Sequence, residues 1–319
     1  MIDRVEPVEA GAPTVACAFP GDVPALALGD GAVWLDGARL AAHPDGAILC
    51  AASDGKRLVT GGDDGRVVEV APGGAMREIA REAGWVDALA LGPDGALAIA
   101  RAKRVRAIDR AGAAKDWEAP SSVRGLAYFP KGHRLVVAHY GGASLWFPNV
   151  AGPPKTLAWK GAHIDATVSP DGRFLVTSMQ ENALHGWRVA DGRDMRMTGY
   201  PAKSRSLAWS HDGRWLATSG AEACVVWPFA DKDGPMGKPP RELGVRPSRV
   251  TACAFHPKAP VLAIGYADGF VLLVRFVDGS ELAVRRETGG AVGAMAWDAA
   301  GTRLLFGDSG GRAGLLRLP

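Results

Sequence analysis

The sequence predicts an all-β protein in which one hairpin unit is repeated around a ring. Three features carry that prediction: an abundance of turn formers, short alternating apolar runs, and a period near forty residues. The chain of 319 residues holds 42 Gly and 22 Pro, more than long helices tolerate but suited to many short strands joined by turns. The apolar runs recur as LAIGYADGFVLLV (262–274), RLVTGGDDGRVVEV (57–70) and RLLFGDSGGRAGLL (303–316), each reading as strand, tight turn, strand.

Following that hairpin along the chain places its tips at Asp30, Asp64, Lys103, Gly141, Glu181, Glu222, Asp268 and Gly310. A second marker precedes the hairpins: GPDG (92–95), FPKG (129–132), SPDG (169–172), SHDG (210–213), FHPK (255–258) and DAAG (298–301). Its spacing is 40 residues from Pro130 to Pro170, 41 from Pro170 to His211 and 42 from Pro257 to Ala299. Two independent markers with one period define a repeat array.

Each unit reads as a first strand ending in a large apolar residue (Leu91, Tyr128, Val168, Trp209, Phe255, Trp297), then a turn, the hairpin and an outer strand. A four-stranded sheet of this kind cannot bury both faces alone, whereas a ring of such sheets stacks face to face. The expected architecture is a β-propeller of four-stranded antiparallel blades, a single domain over residues 1–319. Eight blades are favoured and seven are the alternative, because VACAFPGDVPALALGDGAVWL leaves little room between the first two strands of the first unit. The last unit stops after three strands, so IDRVEPV near the N-terminus is expected to supply its outer strand and close the ring.

The stretch GAHIDATVSPDGRFLVTSMQENALHGW (161–187) resembles a unit of the WD40 repeat family, with Gly-x-His, Ser-Pro-Asp-Gly and a hairpin closing on Trp. The resemblance puts His163, Thr177, Glu181 and Trp187 at that family's structural positions. Trp34, Trp146, Trp187 and Trp227 all end a third strand, and Asp64 and Asp268 stand at hairpin tips. The repeats are degenerate: none of these four tryptophans is followed by Asp, and Gly-x-His occurs once. The resemblance implies a propeller that serves as a binding scaffold, with these residues structural.

The acids of VTGGDDGRVVEV read as turn chemistry. A calcium loop needs oxygen ligands at positions 3, 5 and 12, where counting from Asp63 finds Gly65, Val67 and Gly74. DKDGPMGKPPRE (231–242) has Asp231, Asp233 and Glu242 in register, but Pro235 and Met236 replace a ligand and the required glycine. It is expected to be a long exposed loop of the sixth unit and a candidate contact surface. His133 and His139 read as ordinary strand and turn histidines. The Gly-x-Ser-x-Gly of GDSGG (307–311) falls in a stretch that reads as strand, tight turn, strand and leads into no helix, so it is not a nucleophile elbow, and no Gly-rich phosphate loop leading into a helix occurs. Neither a metal, a cofactor nor a catalytic residue is assigned. Cys17, Cys50, Cys224 and Cys253 lie far apart in apolar strands and are expected as buried free thiols.

The repeat supplies a register for a binding face. The first apolar positions of the inner strands are Val86, Val123, His163, Ser204, Val250 and Val292, and the residues flanking them are expected to line the channel mouth. That ring contains Arg124, Lys203, Arg205 and Arg249 against Asp87, with Trp85 as an aromatic anchor, a set suited to carboxylates or phosphates of a partner. The segment MRMTGYPAKSR (195–205) adds Met, Tyr, Pro and Lys nearby. Most of the ten tryptophans are expected in the core, with Trp85 and Trp159 as candidates for exposure.

A net charge of +3 is too small to indicate a nucleic-acid binder. The N-terminal residues lack the basic start and apolar stretch of a signal peptide, and no run approaches a membrane span, so the expected setting is the cytoplasm, off the membrane. The expected function is a non-enzymatic scaffold that binds a protein or peptide with acidic groups. The alternative is a small-molecule or metal-dependent hydrolase or lactonase with ligands from several blades at the channel mouth.

Overall fold

The second repeat shows how the sequence builds one unit. Ile48–Ser53, Leu58–Gly62, Arg66–Val70 and Met76–Arg81 pair in order, all antiparallel. Leu58–Gly62 is buried throughout, because other sheets cover both of its faces, whereas the outer strand Met76–Arg81 is largely exposed. Asp63, Asp64 and Gly65 make the hairpin tip. Gly65 has φ 77°, and a Cβ there would sit 2.1 Å from the Glu82 carbonyl oxygen, so only glycine fits.

The computed structural model describes residues 4–318, and apart from two short 3-10 turns, Pro20–Asp22 and Pro93–Gly95, the regular structure described is β-strand. Hydrogen bonding joins the strands into seven sheets around a ring, six of them four-stranded and one six-stranded. In the larger sheet, Leu135–Trp146 and Lys155–Val168 each reverse at glycines. Gly141 and Gly142 have positive φ, and the reversal brings His139 Nε2 within 2.9 Å of Ser144 Oγ. Residues 155–158 of the second strand pair with the preceding hairpin, while His163–Val168 pairs with Phe174–Met179.

This sheet therefore contains two repeats. The link at Gly161 is so short that one outer strand runs directly into the next inner strand. Counted as continuous sheets the ring has seven members, the alternative number; counted as hairpin repeats it has eight.

The inner strands Thr14–Ala18, Ile48–Ser53, Ala88–Leu91, Val123–Tyr128, residues 162–168, Leu207–Trp209, Val250–Phe255 and Val292–Trp297 stand in sequence around a central channel. Gly125 lets two of them approach closely, since a Cβ there would lie 2.6 Å from the Asp165 backbone. Trp209 Nε1 donates to Thr167 Oγ1 at 3.0 Å across the next junction. Apolar side chains fill the space between successive sheets: Val59 and Val67 meet Leu97 and Ile99, and Cys224 and Val226 meet Ile264 and Leu272.

The ring closes on the N-terminal strand. Val5–Glu9 pairs antiparallel with Arg312–Leu316, and Leu26 and Leu28 pack on Leu305 and Leu315 across the seam. Ile2 and Asp3 of the segment expected to close the ring lie outside the described residues. Among the described residues no helix is long and apolar enough to cross a membrane.

Candidate partner-binding face

Strand alternation gives the ring two faces. One carries the hairpin tips and the links between repeats, which bond to each other: Ala202 N donates to Gly220 O, and Gly220 N to Val250 O. The Pro-Asp-Gly turns and the loops before the outer strands lie on the opposite face. Residues 231–242 are therefore on the face away from Lys203, Arg205 and Arg249. Two of their three acids are engaged there, Asp233 with Arg188 at 2.7 Å and Asp231 with Lys238.

A bulge at the start of the inner strands sets the lining of the channel mouth. The register shifts between Thr14 and Ala16, Ile48 and Cys50, Val123 and Gly125, His163 and Asp165, Val250 and Ala252, and Val292 and Ala294. In each case the extra residue is left out of the ladder and re-aimed. Arg124, Ile164 and Thr251 are such residues, and Val86, Val123, His163, Ser204, Val250 and Val292 beside the mouth are buried.

Two cavities result. The first, about 470 Å³, is lined by Asp87, Arg124, Asp165, Ser178, Gln180 and Arg205, among others. Within it Arg124 donates to Asp87 Oδ1 at 3.0 Å, and Asp87 Oδ2 accepts the Ala102 N–H at 2.7 Å. The second, about 180 Å³, is lined by Lys203, Arg205, Ser219, Arg249 and Thr251 with neighbouring backbone.

Lys203 Nζ donates to Gln180 Oε1 at 3.1 Å. The Arg205 backbone N–H is fixed on Ser219 Oγ at 3.0 Å. Arg205 lines both cavities. Trp85 lines neither; it is 64% exposed on the same face, as is Tyr140 at 60%.

The sequence register did not single out Asp165, Ser178, Gln180 or Tyr140. Asp165 follows the bulged Ile164, and the bulge places its carboxyl in the cavity wall, where burial pushes its pKa up to about 6 against the opposing effect of the Ala166 N–H. Ser178 Oγ is buried there without a hydrogen-bond partner. In MRMTGYPAKSR, Met195, Met197 and Tyr200 are buried, so they belong to the core. Trp159 is half-buried and stacks on His185 with centroids 3.9 Å apart.

The residues assigned to the repeat are tied by hydrogen bonds. His43, which the sequence reading passed over because no glycine stands two residues before it, bonds Asp64 Oδ1 through Nδ1 and Thr60 Oγ1 through Nε2, both at 2.9 Å. Asp63 Oδ1 accepts the Ala47 N–H, so both acids of the tip are turn and network groups. In the fifth repeat His163 Nδ1 lies 2.7 Å from Thr177 Oγ1, Glu181 accepts the Ala162 N–H at 3.0 Å, and Trp187 is buried beside His163. In the sixth a tyrosine stands in for the histidine: Trp227 Nε1 donates to Tyr200 Oη, which bonds Thr218 Oγ1, both at 2.6 Å. Asp268 Oδ1 accepts the Phe270 N–H at 3.0 Å.

The four cysteines are free thiols; Cys224 and Cys253 are buried, and Cys17 and Cys50 are half-buried. Among the described residues no three His, Cys, Asp or Glu side chains gather at metal-binding spacing.

Residues 37–68 and 196–227 match the family profile described as WD domain, G-beta repeat. The chain carries WD40-type repeats at these two sites and folds as a propeller. The two matched spans contain the networks His43–Thr60–Asp64 and Tyr200–Thr218–Trp227; the unit 161–187 is not among the matched spans.

WD repeat-containing protein 1-B of Xenopus laevis is 40% identical over 82 residues, which are 25% of this chain and 14% of that protein. Telomerase protein component 1 of Mus musculus is 29% identical over 148 residues, 46% of this chain and 6% of that protein. The chain thus spans only a small part of the length of these relatives. The crystal structure of the computationally designed Ika8 protein superposes with a TM-score of 0.77 at 17% identity, covering 99% of this chain and 98% of that one, a likeness of fold alone. WD40 domains generally act as non-enzymatic protein-interaction scaffolds.

Proposed function

We propose that residues 1–319 form one scaffold domain whose channel-mouth face binds a protein or peptide through the partner's acidic groups. The observation that carries this reading is the convergence of Lys203, Arg205 and Arg249 on one crevice, with no ion pair to any of them among the described residues. Trp85 and Tyr140 support it as exposed aromatic anchors on the same face. Asp87 is part of the site as the residue that neutralises Arg124. The reading includes no catalytic step, cofactor, membrane or nucleic acid, and sets the protein in the cytoplasm.

The test is affinity capture from the native cell, with chemical crosslinks mapped back onto the propeller. Crosslinks from Lys203 to a partner, lost in the Arg205→Glu/Arg249→Glu variant at unchanged melting temperature, support the reading. Capture unaffected by the double substitution overturns it.

A further inference from the structure

The arginines of this ring are mostly matched to carboxylates. Arg57 meets Glu69 at 2.5 Å, Arg66 meets Glu78 at 2.7 Å, and Arg104 and Arg106 both meet Asp116 at 2.9 Å. Arg124 follows the same pattern with Asp87.

The crevice between the sixth and seventh repeats departs from it. Arg205 and Arg249 are exposed, and among the described residues their guanidinium groups make neither an ion pair nor a hydrogen bond. The ammonium of Lys203 reaches only the uncharged Gln180 Oε1. Ser219 Oγ accepts the N–H groups of Arg205 and Ser206 at 3.0 and 3.1 Å, which leaves its own O–H free to donate and holds the Arg205 backbone in place.

We infer that this crevice is a seat for a doubly charged oxyanion of the phosphomonoester class, held by Lys203, Arg205 and Arg249 with Ser219 as a further donor. The inference rests on the reading of this face as the partner surface and specifies the group recognised there. A carboxylate offers two oxygens and one charge, enough to satisfy a single fork, as Asp87 does for Arg124. Three converging cations with unused donors call for more charge and more acceptors. A phosphomonoester supplies close to two negative charges and three terminal oxygens, and guanidinium forks match that geometry.

The experiment uses the full chain immobilised and challenged with three degenerate peptide pools that differ only in a fixed serine, glutamate or phosphoserine, alongside inorganic phosphate titrated alone. The phosphoserine pool is expected to be retained at least tenfold more strongly than the glutamate pool. That advantage should be lost in Arg249→Ala and in Lys203→Ala, and kept in Lys131→Ala on the opposite face; all three variants touch exposed or half-buried side chains, and their melting temperatures check folding. Inorganic phosphate bound with the same variant dependence while no pool is retained keeps the oxyanion seat, assigns it to a free phosphorylated compound, and removes the peptide-surface reading. Equal retention of glutamate and phosphoserine pools with loss in Arg249→Ala overturns the phosphate inference and leaves the partner surface standing. Binding of neither phosphate nor any pool overturns both.

Discussion

Arg124 NH1 donates to Asp87 Oδ1 at 3.0 Å across the junction of the third and fourth repeats, and this pair divides the basic ring into a neutralised half and an open half. The Asp87 carboxylate is also held by the Ala102 N–H, so it stays beside Arg124 and discounts that guanidinium as a partner contact. What remains for a ligand is the side where Lys203, Arg205 and Arg249 meet.

Arg124→Ala is accordingly expected to change partner affinity less than threefold, whereas Arg249→Ala weakens it at least tenfold. The pair adds little stability, since the Arg124 side chain is 59% exposed. A double-mutant cycle with Asp87→Ala in urea should return no more than ~1 kcal/mol of coupling, the range of surface ion pairs.

The Tyr200 hydroxyl connects Trp227 to Thr218 in the sixth repeat. Tyr200→Phe keeps the ring packing but leaves the indole N–H and the threonine hydroxyl without their partner inside the core. The expected cost is ~1–3 kcal/mol, the desolvation penalty of buried unpaired polar groups. Denaturant melts of the variant read it directly, and an unchanged midpoint would show the network to be incidental.

Burial raises the Asp165 pKa to about 6, above its ordinary carboxylate value, so the folded protein holds this proton more tightly than the unfolded chain. The associated stability is present below about pH 4 and is lost as pH rises through about 6; above that the buried charge is a penalty. Asp165→Asn should therefore stabilise the protein at pH 8 by ~2 kcal/mol and change little at pH 4, by the conversion of pKa shift to free energy. Paired urea melts at the two pH values check the difference.

The N-terminal strand Val5–Glu9 covers the edge of Arg312–Arg317, with Glu6 on Arg317 at 2.7 Å. Deleting residues 1–9 exposes that edge and one side of the Leu305 and Leu315 core. The truncated chain is expected to melt at a lower temperature and to elute as aggregates in size exclusion, because an open, apolar edge strand pairs with other chains.

Much of this architecture was legible in the sequence because its signals are local. A hairpin tip needs Asp-Gly or Gly-Gly, and an inner strand needs a turn after it, so Asp64, Asp268 and Gly310 mark their units without any knowledge of packing. The count of sheets was less legible, because the reversal at Gly161 occupies a single residue and leaves no loop to mark a boundary. Within the site, the register found Arg124 because the bulged position is fixed relative to the turn, and Arg205 because it holds the same place just ahead of its own inner strand.

Asp165 escaped notice because only the bulge itself turns that residue into the cavity. Tyr200 escaped because it fills a histidine's place with a different residue type. The Asp87–Arg124 pair joins residues 37 positions apart, a proximity that no local pattern encodes.

The most direct measurement of the central claim compares two charge reversals on opposite faces of the ring. Arg205→Glu/Arg249→Glu alters the channel-mouth face, and Lys131→Glu/Lys232→Glu alters the exposed turns on the other. With melting temperatures of both variants matching the parent, quantitative partner capture should fall at least tenfold for the first and stay within twofold for the second. Loss of capture in the second variant with retention in the first would contradict the account.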